Sequence, residues 1–374
     1  MRLRFALTIL SVVGLWIFFP ATAQAHPASG IVVDKTGNIY FSDLETIWKF
    51  DTHGELTVFR KGERGRHVHE LAIDEQDNVY GADIGYNPAS EGYITDVWKM
   101  TPEGKFIYLL QPTERAPRGW SIWHDRDGNM YFVEQNNHTK RETLLLRRSP
   151  DGTVTTLAGG AYGHADGRGN LAKFSSVGGI TFGPDGSLYL SDGDAVRKVA
   201  TDGTVTTIAK GLDFMTSHDQ PRFLGGLSGS LWGLSVDANV NVYVADAGNR
   251  RVIKIDSTGG AEVVSRAEAP YFPTGVAAAG GNLYVMEVGF TLPNLTSGPR
   301  LRKITADGKS TILTTIGENA SAGKPVSSLA LQAGTTAESV IVFFSRDGRL
   351  KYSIAFASIV SLTALVLHRR RARG

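Results

Sequence analysis

Cysteine is absent from all 374 residues. Disulfides, thiol nucleophiles and Cys-based metal sites are therefore excluded. An exported protein of this kind relies on its packed core, and about 325 residues are enough for a large one. A charge surplus is also missing, since 39 Lys and Arg face 37 Asp and Glu. Six of the basic residues lie at the two ends, as Arg2, Arg4, Arg369, Arg370, Arg371 and Arg373. Those ends hold no acid, so the rest carries 33 basic and 37 acidic residues, a balance of −4. That is no footprint for nucleic acid. Phosphate loops, nucleophile elbows and zinc signatures are absent. A long 3.6-residue periodicity is lacking before Ser353.

Long apolar runs are confined to the ends. A basic start, an apolar stretch from Phe5 to Pro20 and the small-x-small Ala23-Gln24-Ala25 predict a secretory signal over 1–25. A retained signal anchor is the alternative. Ser353 to Leu367 carries no charge and is followed by His368 and the arginines. This predicts a short transmembrane helix over 353–368, below the ~20 residues usually needed to span a bilayer. The basic tail 369–374 then lies on the cytoplasmic side, and the bulk of the chain outside it in the cell envelope. The helix and arginines also resemble bacterial C-terminal sorting signals, without their Pro-Glu-Pro motif.

Between the ends one phrase recurs six times: Asn (once Ser), an apolar residue, Tyr, two residues, then an acid. It runs Asn38 to Asp43, Asn78 to Asp83, Asn129 to Glu134, Ser187 to Asp192, Asn241 to Asp246 and Asn282 to Glu287. A short apolar run precedes each phrase, as in Gly30 to Val33. A strand with a basic residue follows: Lys49, Lys99, Arg147, Lys198, Lys254 and Lys303, each five positions before a turn glycine. A Thr/Val/Leu run closes each unit. Four β-type runs per unit, punctuated by Asp-Gly and Gly-Asn turns, predict four-stranded antiparallel blades. Six such units make an all-β, six-bladed β-propeller over 28–320. Seven blades is the alternative. Residues 321–352 are read as an appendage, because they hold β-like runs without the phrase.

Two stretches carry a family resemblance. Residues 152–208 contain Gly152-Thr-Val-Thr-Thr-Leu157, Ala165-Asp166-Gly167 and Ala172-Lys-Phe174. Residues 240–255 read Val-Asn-Val-Tyr-Val-Ala-Asp-Ala-Gly-Asn-Arg-Arg-Val-Ile-Lys-Ile. Both resemble NHL repeats, and looser versions cover roughly 28–315. The wider superfamily so implied includes gluconolactonase-type, paraoxonase-type and strictosidine-synthase-type propellers.

Turn lengths select a working face. All A–B and C–D turns are short. The long segments fall on the opposite face, as B–C insertions at 84–95, 135–143 and 288–299 and crossings at 60–68, 158–176 and 209–230. Variable loops on a rigid scaffold are where ligands bind. The inner strands open on this face with Gly30, Glu70, Ser121, Gly179, Gly233 and Gly275. Glu70 departs furthest from glycine, within Arg66-His67-Val68-His69-Glu70. His69 aligns with Trp120 and Trp232. An acid, a histidine and two tryptophans around one mouth predict an apolar-walled pocket with few polar groups.

Three readings of Glu70 stay open: a ligand for Ca2+ or another divalent cation, a general base beside His69 or His67, or a structural acid bonded to backbone amides or an arginine. Gluconolactonase-like propellers resemble this chain in placing a metal-binding glutamate at an inner strand start. They add Asn and Asp from other blades, where Ser121 and glycines stand here. The acids after Tyr are expected to be structural, with Asp83 and Glu134 as candidates for ligand contact beside the insertions. His164 and Asp166 are also expected to be structural. Gln135 to His138 reads as a solvated turn or a polar contact segment.

Two function classes follow. The first is a membrane-tethered binding scaffold that takes a small molecule or an envelope protein, with Trp120, Ser121, Trp232, Asp83 and Glu134 as ligand-binding residues. The second is a divalent-metal-dependent hydrolase of lactones or esters, with Glu70, His69 and His67 as catalytic residues and Glu70 as metal ligand.

Overall fold

A computed structural model describes residues 28–90, 92–114, 122–136, 141–212, 231–290 and 296–316. The expected signal, appendage, transmembrane helix and basic tail lie outside the described residues. So do Trp120, Ser121 and most of the 209–230 crossing. Among the described residues no helix is long and apolar enough to cross a membrane.

The described residues form a six-bladed β-propeller. The first blade is β1 (Ile31–Val33), β2 (Ile39–Ser42), β3 (Thr46–Phe50) and β4 (Leu56–Lys61). The second adds a short strand β5 (Arg66–His67) ahead of β6 (Leu71–Ile73), β7 (Val79–Asn87), β8 (Gly92–Met100) and β9 (Phe106–Thr113). The third is β10 (Ile122–His124), β11 (Met130–Asn136), β12 (Glu142–Arg148) and β13 (Val154–Ala161). In the fourth, β14 (Gly167–Arg168) covers the outer edge of β15 (Val177–Phe182), β16 (Leu188–Asp192), β17 (Ala195–Val199) and β18 (Thr204–Ala209). The fifth is β19 (Leu231–Val236), β20 (Val242–Asp246), β21 (Arg251–Ile255) and β22 (Ala261–Arg266). The sixth is β23 (Tyr271–Ala279), β24 (Asn282–Phe290), β25 (Thr296–Ile304) and β26 (Ser310–Thr315).

The recurring phrase has a physical cause. Asp34, six residues before Tyr40, accepts the Asn38 backbone N–H at 2.8 Å, the Asn38 Nδ2 at 2.7 Å and the Tyr40 hydroxyl at 3.1 Å. Asp74, Asp125 and Asp237 repeat this with Asn78 and Tyr80, Asn129 and Tyr131, and Asn241 and Tyr243. Asp185 makes a shortened version with Ser187 and Tyr189. Each aspartate folds its own turn by satisfying amides that the strands leave open. The basic residue of each unit stands directly across the ladder from the tyrosine: Tyr40 faces Lys49, Tyr131 faces Arg147, and Tyr243 faces Lys254. Lys49, Lys99, Lys198 and Lys303 lie over those rings at 5.7–6.0 Å. C–D turns close the same way, with Asp51, Asp151, Asp202 and Asp256 accepting the N–H two residues on.

The core lies between blades. One buried cluster sits at each of the six blade boundaries, as the repeat implies. Ala28, Ile31 and Phe41 of the first blade pack on Tyr284, Met286 and Leu301 of the sixth. That packing closes the ring, since each blade takes its strands from one stretch of chain. The six inner strands β1, β6, β10, β15, β19 and β23 touch in that order, and β23 returns to β1.

The face with the long segments carries hairpins where the sequence suggested loops. Residues 84–95 continue the β7–β8 ladder out to Asn87 opposite Gly92. Residues 288–299 belong in part to β24 and β25, paired as far as Phe290 opposite Thr296. The crossing at 60–68 gains β5, whose Arg66 and His67 pair with Gly85 and Ile84.

Candidate functional site

The inner strands converge so closely that side chains have little room near the axis. A Cβ on Gly30 would lie 2.7 Å from the Leu71 nitrogen, and one on Gly275 only 2.1 Å from the Ser29 carbonyl oxygen. Glycine at these starts is a steric requirement of the ring. Among the described starts Glu70 is the exception, and its side chain remains half-buried.

Ser29, the last residue before Gly30, binds Glu70 across the boundary between the first two blades. Its hydroxyl donates a very short hydrogen bond to Glu70 Oε1. The Ser29 and Gly30 amides both donate to the His69 carbonyl, at 2.9 and 2.8 Å. Burial pushes the Glu70 carboxyl up to about 8, against the opposing Ser29 bond. Burial thus favours the protonated form of this acid, which can donate a hydrogen bond.

The fully buried acids differ from half-buried Glu70. Asp83 is bound in a fork by Arg60. Asp96 takes Arg66 at 2.5 Å, Asp192 takes Arg197 at 2.7 Å, and Asp246 takes Arg251 at 2.6 Å. Glu287 takes both Arg300 and Arg302. Among the described residues no Lys or Arg pairs with Glu70. The repeat acids thus bind inside their own or neighbouring blades. Asp43, in the first blade, takes the Trp48 Nε1 at 2.7 Å instead.

The remaining candidates distribute as follows. His69 is buried, and its ring meets that of half-buried His67 edge-on at 5.9 Å. Trp232 is half-buried; its carbonyl accepts the Ser191 hydroxyl at 2.8 Å. A side chain on the adjacent Gly233 would stand 3.1 Å from the Ser29 Cβ. Glu70, Ser29 and the start of the fifth inner strand therefore share one axial neighbourhood. Asp83 is 3% exposed, beneath Arg60. Half-buried Glu134 lies on β11 opposite Leu144. Gln135 gives its Nε2 to the Val177 carbonyl at 2.8 Å.

The sequence reading passed over Ser29, although it aligns with His69 and Trp232. It also passed over Asp96, which only the hairpin register places opposite Asp83.

One cluster has the outline of a hydroxyl–histidine–acid relay. Thr207 Oγ1 lies 3.4 Å from His164 Nε2, and His164 Nδ1 lies 3.7 Å from Asp192. Both distances are long for working hydrogen bonds. The Thr207 hydroxyl is already given to Asp166 at 2.7 Å. Asp192 is saturated by the Ser175 amide and hydroxyl, the Ser176 amide and Arg197. This cluster pins the 162–176 crossing, and no group in it is free to attack a substrate.

A divalent cation at Glu70 would need several oxygen donors. Among the described residues no three His, Asp or Glu converge to hold a metal. Glu70 meets the Ser29 hydroxyl, and Gly30 of the first inner strand lies against its backbone. Among the described residues this donor set offers one carboxyl and one hydroxyl, fewer oxygen donors than such a cation takes.

No protein-family profile matches the sequence, and no curated protein matches it. Solved structures of similar shape exist. Virginiamycin B lyase from Staphylococcus aureus is 16% identical over 78% of this chain and 96% of that one, with a TM-score of 0.45. A gluconolactonase from Xanthomonas campestris is 15% identical over 70% and 83%, with a TM-score of 0.47. Regucalcin from Agrobacterium tumefaciens, a calcium-binding protein, is 17% identical over 72% and 84%, with a TM-score of 0.48. These likenesses are of architecture: the chain is a six-bladed β-propeller similar in outline to those three proteins.

Proposed function

We propose that this propeller is a binding module whose ligand meets Glu70 at the mouth of the axis. One observation carries the reading. Among the described residues no Lys or Arg pairs with Glu70, a half-buried carboxyl that lies where the blades converge. A perturbed carboxyl in a concave, half-apolar setting marks a candidate site. As a protonated acid it donates a hydrogen bond, so the ligand presents a carbonyl, hydroxyl or ether oxygen. Trp232 supplies an apolar wall, and the long hairpins of the same face frame the entry.

The test is thermal unfolding of the protein with sugars, lactones and their acids, with and without EDTA. A ligand specific to the folded state raises its stability by mass action. We expect a stabilising ligand whose effect survives EDTA and is lost in Glu70→Ala. A rise that needs Ca2+ or another divalent cation and disappears in Glu70→Gln would overturn this reading. It would favour the metal-dependent hydrolase, with Glu70 as the metal ligand.

In the same proposal the propeller is exported by residues 1–25 and tethered to the envelope membrane by 353–368. Removing the chain beyond Tyr352 should release it from membranes. Continued sedimentation with membranes would refute the tether.

A further inference from the structure

Arg250 sits in the β20–β21 turn of the fifth blade, on the face that carries the long segments, with a left-handed φ of 52°. Its carbonyl accepts the Ala267 amide at 2.7 Å, which ties the turn to the crossing into the sixth blade. Its half-buried guanidinium lies over the Phe272 ring, 4.5 Å from the centroid. Phe272 stands two residues before Thr274, whose carbonyl is 3.0 Å from a Cβ placed on Gly233. The guanidinium is therefore held at the boundary of the fifth and sixth blades, close to the ring of inner strands.

The buried acids of this boundary are bound to other arginines. Asp246 takes Arg251 at 2.6 Å and the Asn249 side chain at 2.9 Å. Glu287 takes both Arg300 and Arg302. Glu268, in the crossing, is exposed, and so is Arg266, which stands opposite Arg251 on the ladder. Among the described residues no carboxylate pairs with Arg250, and its Nε is buried without a hydrogen-bond partner. The face of Phe272 offsets part of the cost of that charge. Packing alone does not call for a guanidinium here, since an apolar side chain would cover Phe272 without leaving a cation unpaired.

We propose that Arg250 anchors a carboxylate-binding site at this boundary, and that its occupant is a small-molecule carboxylate. The buried Nε leaves the two terminal nitrogens as the edge offered outward. They form a planar fork that matches the two oxygens of a carboxylate. A phosphate would leave oxygens beyond the reach of that single fork. The carboxylate supplies the counter-charge that the boundary withholds, and Phe272 fixes the plane in which it is met. The inference stands whatever Glu70 binds.

Phenylglyoxal modifies reactive guanidinium groups, and peptide mass mapping of the full chain reads its rate at Arg250 and at exposed Arg64. The probes are benzoate, gluconate and citrate at constant ionic strength, with benzamide and glucose as neutral counterparts. We expect at least one carboxylate to slow modification at Arg250 about tenfold, as at a concentration ten times its Kd. Arg64 should be unaffected, and the neutral compounds should do nothing. The protection should persist in Glu70→Gln, which separates this site from the one at the axis. The same carboxylate should raise the melting temperature of the wild type and of Arg64→Gln but not of Arg250→Gln. Equal slowing at both arginines, or none with any carboxylate, would overturn the site, as would a stabilisation retained in Arg250→Gln. Protection by inorganic phosphate and by no carboxylate would overturn the assignment of the occupant. The wild-type mapping decides even if Arg250→Gln folds poorly.

Discussion

The Ser29 hydroxyl of the first blade donates to the Glu70 carboxyl of the second, beside the axis. Its ordinary value near 4.5 is raised to about 8 in the folded chain. Between those values the native state holds a proton that the unfolded chain has released. Stability therefore falls as pH rises from about 4.5 to about 8, and levels off above that. The slope is at most about 1.4 kcal/mol for each pH unit crossed, less because part of the side chain meets solvent. Glu70→Gln is neutral throughout and should remove this component. Urea unfolding of both proteins from pH 5 to pH 9 checks it, and parallel profiles would contradict the assignment.

Arg197 is fully buried and organises the crossing between the third and fourth blades. It donates to Asp192 at 2.7 Å, Asp166 at 2.9 Å and the Ala165 carbonyl at 2.8 Å, and lies over the Phe174 ring at 5.5 Å. Arg197→Ala leaves Asp192 buried without its cation, which should cost about 3–5 kcal/mol. Arg197→Lys should recover little, since one ammonium cannot reproduce the fork. Denaturant midpoints measure both, and a loss below about 1 kcal/mol would mean that the amides at Asp192 suffice alone.

The blades were legible because their signal is local. Tyr40, Asn38 and Lys49 lie within one hairpin, and aspartate turn chemistry fixes the tyrosine in five of the six units. Even so, the aspartate that holds Asn38 and Tyr40 together was present in the sequence without entering the pattern. It sits before the turn, while the pattern was anchored after it. The site was less legible because its contacts cross blade boundaries. Ser29 reaches Glu70 over 41 positions. Arg60 reaches Asp83 over 23, and Arg66 reaches Asp96 over 30. Hairpin register and blade packing set these pairs, and no spacing rule announces them. Asp83 is a candidate for ligand contact because it adjoins an insertion, and in the folded chain it is buried in a pair with Arg60. The extended β7–β8 ladder turns that insertion into the frame that buries it.

Gly81 is where the second blade accepts a tryptophan. An added Cβ would meet Trp98 Cζ2 at 2.4 Å, and Trp98 is fully buried against the first blade. Gly81→Ala should cost about 1–3 kcal/mol through overpacking. Trp98→Phe in the same chain should recover part of that loss, because the two residues share one space. Independent, additive effects in a double-mutant cycle would show that the ring moves aside freely.

The turn aspartates make a graded prediction across blades. Asp125 accepts the Asp127 and Asn129 amides at 3.0 and 2.8 Å, and the Asn129 Nδ2 and Tyr131 hydroxyl at 2.9 Å each. Asp125→Ala strands all four donors and should cost about 2–4 kcal/mol, while Tyr131→Phe removes one bond and should cost about 1 kcal/mol. In the sixth blade the turn runs through Gly280 and Gly281, and Asn282 Nδ2 reaches the Gly280 carbonyl at 3.2 Å on the exposed surface. Asn282→Ala should therefore change stability by less than about 0.5 kcal/mol. Equilibrium unfolding of the three variants ranks them. If Asn282→Ala proves as damaging as Asp125→Ala, the polar phrase stabilises the blades by something other than its turn.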